Sequence, residues 1–597
     1  MRSPIFIGAV LLGACAPRSA TMQPDPASPA LPPVPLVEGP LAPRVQYPPS
    51  DHLLRVRDST FIFGEVGNGR ASLTVNGSPV PVLPNGAWIA YLPVPAATAP
   101  RFDIVAALDA DTARLSHPVR VPDPPVEVSA AGALVVDSAS VRPRAGLALP
   151  DDEAVEVALR APFDATITLE TAGADPRPLV ASVAPGGGAR WARAVPASTL
   201  REGGTLVAAR GADTVRLTIA AVGTLGDRWA ELGAEVAPAD TDRVIAARPI
   251  PAGTYKWFFM PGTRARITGR DGDFIRIALD ARLDAWVASS DVTLLPDGTL
   301  PPRRVAGNAR VLTADEWTDV VIPVGDRPPY LVEQLPSALQ LTLYGTRATT
   351  DIIRYPTSDT LVRLVRWEPV AADRVVFTVE LSRAPYGYLV SWRDGAVVLR
   401  VRRPPRVDGR RPLRGLTIAV DAGHPPAGST GPTGLYEAVP ALAIARQLEE
   451  ILTARGATVV MTRTSDSAVA LAERPIMARR ANAHALVSIH LNALPDGVNP
   501  FVSHGTGTYY FHPQAEPLAR AVQAGMVRRM GLPDLGIYYD NLALARPTWM
   551  PAVLCEGAFI MMPEQEAALR TPEFQRRYAL GVADGLERYF RAFGVSR

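Results

Sequence analysis

From Gly415 onward, short apolar runs alternate with longer amphipathic stretches. Leu416–Val420, Thr458–Thr462, Leu486–His490 and Met550–Leu554 are each five residues long, too short for a helix, and mostly apolar. Such runs predict buried strands. Between them, Val439–Arg455 carries Leu442, Ala445, Leu448 and Leu452 at helical spacing and meets Gly456, a stop signal. Leu471–Ala483, Gln514–Met530 (before Gly531) and Glu573–Phe593 read as further helices. This alternation predicts an α/β domain over 414–595, with a central, mostly parallel sheet flanked by helices.

Upstream the period changes to two. Thr60–Val94 alternates β-rich runs with two Asn-Gly turns, Asn76-Gly77 and Asn85-Gly86, the strongest short-range hairpin signal. Residues 45–123 resemble an immunoglobulin-like sandwich. Residues 127–240 read as another β-rich domain of uncertain type, with Gly186–Gly188 as a loop. Residues 245–297, including Ile250–Pro296, have the rhythm of an SH3-type barrel. Arg374–Leu381 and Tyr386–Trp392 alternate within a further β domain, 310–405. The fold class expected is therefore multidomain, with N-terminal all-β modules followed by a C-terminal α/β domain. Each β module fits a passive spacer as well as a binding module, and Arg400–Arg414 reads as a solvated linker.

Composition narrows the function. A chain of 597 residues exceeds one core. A net charge of +2 offers no field for nucleic acid. The first fifteen residues, MRSPIFIGAVLLGAC, have a basic start and an apolar run too short to span a bilayer. Leu12-Gly13-Ala14-Cys15 resembles the lipobox of bacterial lipoproteins. That resemblance implies a signal peptide over 1–15 and lipidation of Cys15, with acyl chains anchoring the protein in a membrane. Ala16 favours the outer membrane, and the protein is expected at the periplasmic face. Cys555 is then left without a disulfide partner. Residues 16–44 read as a Pro-rich tether; about 28 residues at about 3.1 Å each would reach on the order of 85 Å.

Four stretches carry the chemistry: VDAGH (Val420–His424), Glu437, SIHLN (Ser488–Asn492) and PAVLCEGAF (Pro551–Phe559). His and Glu fall where strands end, and strand carboxyl ends are where open α/β sheets bind ligands. Two His and one carboxylate complete the protein shell of a catalytic zinc and leave a position for water. A further Glu can then handle protons.

The order and spacing of these stretches, with Thr462–Arg463, Asp466 and Leu471–Asn482 (LAERPIMARRAN), resemble the zinc-dependent N-acetylmuramoyl-L-alanine amidases of bacterial cell walls. The resemblance covers about Gly415 to Phe590. It implies one Zn2+ held by His424, Glu437 and His490, with Glu556 as catalytic base and later acid. It implies cleavage of peptidoglycan between N-acetylmuramic acid and L-alanine, for wall remodelling. By position, 310–405 resembles the AMIN domains that target such enzymes to peptidoglycan. Asn492 and Arg546 are candidate substrate-binding residues, and division-machinery or activator partners are left open. His484, His504 and His512 are expected at the surface or behind the ligands, with His512 in reserve as a ligand. Cys555 should face away from Glu556, since neighbours on a strand point to opposite sides.

Departures from the family pattern are Ala438, Ala485, Ala558, Met562 and the loop PPAGSTGPTG after His424. None removes a ligand or the base. Some family members block the zinc with an inserted helix, and neither Leu491–Gly505 nor Leu532–Trp549 has helical periodicity. Two other readings stay open: a zinc hydrolase of another wall peptide bond, and a non-catalytic peptidoglycan-binding or activator protein. The intact ligand set and Glu556 weigh against the latter.

Overall fold

The computed structural model describes residues 29–128, 132–183, 188–234 and 244–596. Cys15, the 1–15 segment, 16–28 of the tether, and Gly186 and Gly187 lie outside them.

Four β units precede the α/β domain. In the first, a three-stranded sheet (Arg44–Tyr47, Ser59–Glu65, Ala87–Pro93) faces a five-stranded one containing Ser72–Val75, Arg101–Leu108 and Asp111–Arg120. Ile62, Trp88 and Phe102 are buried between them. Asn76 and Gly77 both take positive φ, 49° and 77°, which suits a tight hairpin turn. The second unit is a pair of four-stranded sheets around Val157, Ile167 and Leu206. The third is one sheet curled around Trp257 and Phe259. It draws in Trp229–Leu232 and Leu147–Ala148, upstream of the expected 245–297, because Ala230 and Leu232 complete its core. The fourth packs a five-stranded sheet on a four-stranded one around Leu341, Phe377 and Leu399.

The run Arg400–Arg414 is not a solvated linker. Its start belongs to strand Ala396–Arg402, and Arg402 is 2% exposed. The Arg402 guanidinium donates to Ala483 O at 2.6 Å and to Asn482 O and Oδ1 at 3.0 and 2.8 Å. An arginine whose donors all meet fixed carbonyls can be buried without being an uncompensated charge.

In the α/β domain the elements are β1 (Thr417–Ala422), α1 (Ala438–Ala454), β2 (Thr458–Met461), α2 (Glu473–Arg480), β3 (Ala485–Asn492), β4 (Thr506–Tyr510), α3 (Glu516–Met530), β5 (Asp534–Tyr539), β6 (Ala552–Phe559), α4 (Pro563–Leu569) and α5 (Pro572–Phe593). The sheet order is β2-β1-β3-β6-β4-β5. The first four strands run parallel, β4 is antiparallel to β6, and β5 is parallel to β4. Buried residues of α1, α3 and α5 cover one face with Val487, Val553 and Cys555; Ala478 of α2 and Leu544 cover the other with Leu486 and Leu554. The segment Leu532–Trp549 holds β5, an edge strand whose inward positions Leu535 and Ile537 are only half-buried. Residues 491–505 hold no helix beyond the end of β3.

The first β unit shares a core with the α/β domain. Phe61, Phe63 and Ile89 pack with Phe559, Met561 and Met562, joined by Tyr47, Tyr91, Leu494 and Leu535. Inside this contact the Asp496 side chain is 1% exposed. It accepts from Tyr47 Oη at 2.6 Å and Arg55 N at 3.0 Å, and faces His52 Nε2 at 3.4 Å. The later part of the tether is docked as well: Arg577 donates to Ala30 O at 2.7 Å, and Leu31 packs on the α/β core.

Candidate metal centre and active site

The carboxyl ends of β1, β3 and β6 lie side by side, and the motif residues converge there. Gly423 follows β1 and donates to Ile489 O of β3 at 2.9 Å. A Cβ there would come within 2.6 Å of the His490 ring, so only glycine lets the imidazole lie across the backbone. His424 then turns into the left-handed region, φ +56°. That conformation costs a non-glycine residue about 1–3 kcal/mol and needs its surroundings to enforce it. Two buried arginines do so. Arg474 donates to Asp421 Oδ1 at 3.0 Å and to the carbonyls of Ala422, His424 and Pro425 at 2.9, 3.2 and 2.8 Å. Arg463 donates to Ala422, Gly423 and Ala438 carbonyls at 2.8, 2.9 and 2.7 Å. Asp421, fully buried, also accepts from Thr462 and Ser488 hydroxyls, both at 2.5 Å.

Glu437 enters from the loop before α1. Its carboxylate lies between the imidazoles: Oε2 is 3.2 Å from His424 Nε2 and Oε1 is 3.1 Å from His490 Nδ1. The backbone N–H groups of Ser429 and Leu491 donate to the same oxygens, each at 3.0 Å. Glu566 of α4, itself buried, fixes that loop by accepting from Thr433 N and Leu435 N. One ligand atom each from His424, Glu437 and His490 falls within 4.8 Å of the others. A tetrahedral zinc with bonds of about 2.0–2.2 Å sets neighbouring ligand atoms about 3.3–3.6 Å apart. Each imidazole meets a different Glu437 oxygen, at 3.2 and 3.1 Å, and imidazole and carboxylate are donors zinc takes, so the three residues fit the ion. Burial alone would raise Glu437, but the two imidazoles outweigh it and hold the carboxyl far below the usual range. The bond to Glu437 in turn raises His424.

Glu556 stands opposite His490 in the β3–β6 register. Its Oε2 is shielded from solvent and has no hydrogen-bond partner among the described residues. Burial, with the Glu437 charge, pushes its pKa well up. From below, Tyr578 Oη donates to Cys555 O at 2.8 Å and accepts from Gly557 N at 3.1 Å, bracing the strand under Glu556. Cys555 is fully buried on the opposite face of the sheet, where burial raises its thiol.

The remaining candidates disperse. Asn492 ends β3 near Tyr509, whose hydroxyl is pushed up by burial and by the Glu556 charge. Arg546 lies elsewhere: it donates to Asn541 Oδ1 at 2.7 Å and stacks over Tyr255 and Phe258 of the third β unit, 5.2 and 5.1 Å from the ring centroids. His484 accepts from Thr417 N, His504 meets Pro500 O, and His512 meets Arg546 O. Arg474, Glu566, Tyr509 and Tyr578 had no roles in the sequence reading. Only Arg474 left a trace there, inside LAERPIMARRAN.

Residues 418–588 match the family described as N-acetylmuramoyl-L-alanine amidase. The probable cell wall amidase LytH of Staphylococcus aureus is 32% identical over 210 residues, 34% of this chain and 68% of the relative. Its Staphylococcus epidermidis counterpart is 32% identical over 183 residues, and the chain spans 60% of that protein's length. Among solved structures, the catalytic domain of the amidase CwlV from Bacillus (Paenibacillus) polymyxa var. colistinus is 35% identical; the match covers 29% of this chain and 97% of that one, with a TM-score of 0.28. By its C-terminal α/β domain, this chain belongs to the N-acetylmuramoyl-L-alanine amidase family.

Proposed function

We propose that the protein is a zinc-dependent peptidoglycan amidase that cuts between N-acetylmuramic acid and the L-alanine of the stem peptide. The observation that carries this is the convergence of His424, Glu437 and His490 beside a Glu556 carboxylate oxygen without a hydrogen-bond partner among the described residues. His424, Glu437 and His490 would hold the ion. When bound, zinc lowers the pKa of water to about 7 and polarises a carbonyl oxygen. An amide nitrogen leaves badly, so the reaction also needs a proton delivered to it. Glu556 takes the proton of the attacking water on its free oxygen and passes it to the leaving nitrogen. Burial and the Glu437 charge raise its pKa, the direction that makes a carboxylate a stronger base.

The Cys15 lipobox supports a lipid anchor at the periplasmic face, in the outer membrane. From Ala30 onward the Pro-rich stretch docks on the α/β domain, through Ala30 O and Leu31. The immunoglobulin-like, SH3-type and AMIN-like readings of the β units fit a role in holding the enzyme on peptidoglycan. Mass spectrometry of products released from purified peptidoglycan tests the proposal. Free peptides beginning in L-alanine support it; crosslink fragments move the scissile bond.

A further inference from the structure

Glu556 has an aromatic neighbour on the same face of the sheet. Across the β6–β4 pairing, Gly507 lies directly opposite Glu556 and Tyr509 opposite Leu554. Residues directly opposite in an antiparallel pair project to one face, with Cβ positions about 4.5–5.5 Å apart. A Cβ on Gly507 would point at Tyr538 of β5, 3.4 Å from its ring. The Tyr538 ring therefore covers the bare position beside Glu556, on the Glu556 side.

This ring is held in place yet left open. It stacks on Tyr509 with centroids 5.1 Å apart and planes inclined by 24°. Tyr509 is itself placed by β4, where it pairs opposite Leu554 of the strand that carries Glu556 and packs against the core around Leu554. Tyr538 is 39% exposed. Its backing ring is thus tied to the catalytic strand, while its own outer surface meets solvent. The sequence favours this arrangement: glycine at 507 removes the side chain that would otherwise fill the space.

Resting on the amidase reading above, we infer that Tyr538, backed by Tyr509, is the platform on which a pyranose ring of the substrate stacks. The C–H face of the sugar lies on the aromatic face, and the amide it carries reaches Glu556. Tyr538 is a positioning residue in this scheme and takes no part in proton transfer. The site would then select an amide bearing a saccharide over a free peptide amide, which a metal and a base alone do not distinguish.

The test uses the full chain carrying Glu556→Gln, so that binding is read without turnover. Titration calorimetry compares N-acetylmuramoyl-L-alanyl-D-isoglutamine with the same dipeptide acylated by lactic acid and lacking the sugar. Aromatic contacts are worth about three- to tenfold in affinity. Tyr538→Ala should weaken the saccharide ligand by that factor and leave the sugarless one unchanged, and Tyr538→Phe should restore it. Equal weakening of both ligands, or of neither, overturns the inference. Hydrolysis of the same saccharide amide by the wild-type chain is measured separately. Failure there counts against the amidase reading, while the binding comparison still decides whether Tyr538 receives a sugar.

Discussion

Asp496 offers a direct measure of whether the first β unit is part of the catalytic body. Its carboxylate belongs to the loop that follows β3, yet two of its hydrogen-bond donors, Tyr47 Oη at 2.6 Å and Arg55 N at 3.0 Å, come from the β sandwich. Asp496→Ala removes the partner of Arg55 N and leaves Tyr47 Oη only His52 Nε2, 3.4 Å away, in a contact where the aspartate is 1% exposed. Hydrogen bonds to a charged group contribute about 1.5–3 kcal/mol each, and an orphaned buried donor costs about 1–3 kcal/mol. The substitution should therefore destabilise the joint unfolding unit by about 3–4 kcal/mol. Calorimetric unfolding of the full chain, in a cycle with Tyr47→Phe, isolates the pair. A coupling energy of about 1–3 kcal/mol is expected for groups sharing so short a bond. The two domains should melt together in the wild type and separately in the variant. A change below about 0.5 kcal/mol, with one unaltered transition, would refute the claim that Asp496 joins the domains.

Other consequences can be checked in the same protein. Arg474→Ala should cost 3 kcal/mol or more in urea unfolding, at about the level of breaking a buried ion pair, and should weaken zinc retention because His424 loses its enforced backbone. Arg474→Lys should not restore either, since an ammonium cannot span Asp421 and three carbonyls at once. His484 and His512 are held neutral, each pushed down to about 4 mainly by burial. Their folded values lie below the unfolded 6.5, so the fold binds fewer protons and stability is fully present above pH 6.5. That stability is lost as pH falls towards 4, on the order of 3 kcal/mol per histidine, and replacing either residue by glutamine should flatten a urea-unfolding profile over that window. Zinc at a hundredfold excess over its dissociation constant should stabilise the chain by about 2.7 kcal/mol, an effect that His490→Ala should abolish in a thermal melt.

Much of the α/β domain was legible because its signals are local. Five-residue apolar runs marked β1, β2, β3 and β6, and Gly531, at φ +72°, ends α3 where the pattern placed the stop. The His424, Glu437 and His490 cluster was readable because each residue sits at a strand or helix boundary, which periodicity locates well. Edge elements were harder. β5 shows no clear period because an edge strand buries too little to produce one, and its Tyr538 and Tyr539 remain 39% and 67% exposed. Contacts between distant segments left no local mark at all. Nothing near Asp496 announces Tyr47, which lies 449 residues away, and nothing in an arginine-rich run separates buried Arg402 from solvated neighbours. Arg546, beside Pro547, lay close to the motifs in sequence, but its guanidinium packs on Tyr255 and Phe258.

The most direct test of the central claim compares zinc-loaded, detergent-solubilised full chain with its Glu556→Gln variant on purified peptidoglycan. Products would be identified by mass spectrometry and zinc content measured in both. The wild type should release free stem peptides beginning in L-alanine, and the variant should be about 10²- to 10⁴-fold slower at equal zinc occupancy. Equal rates in the two proteins, with zinc bound in both, would contradict Glu556 as the proton-transferring group. No cleavage at the muramoyl amide by the wild type would contradict the amidase assignment itself.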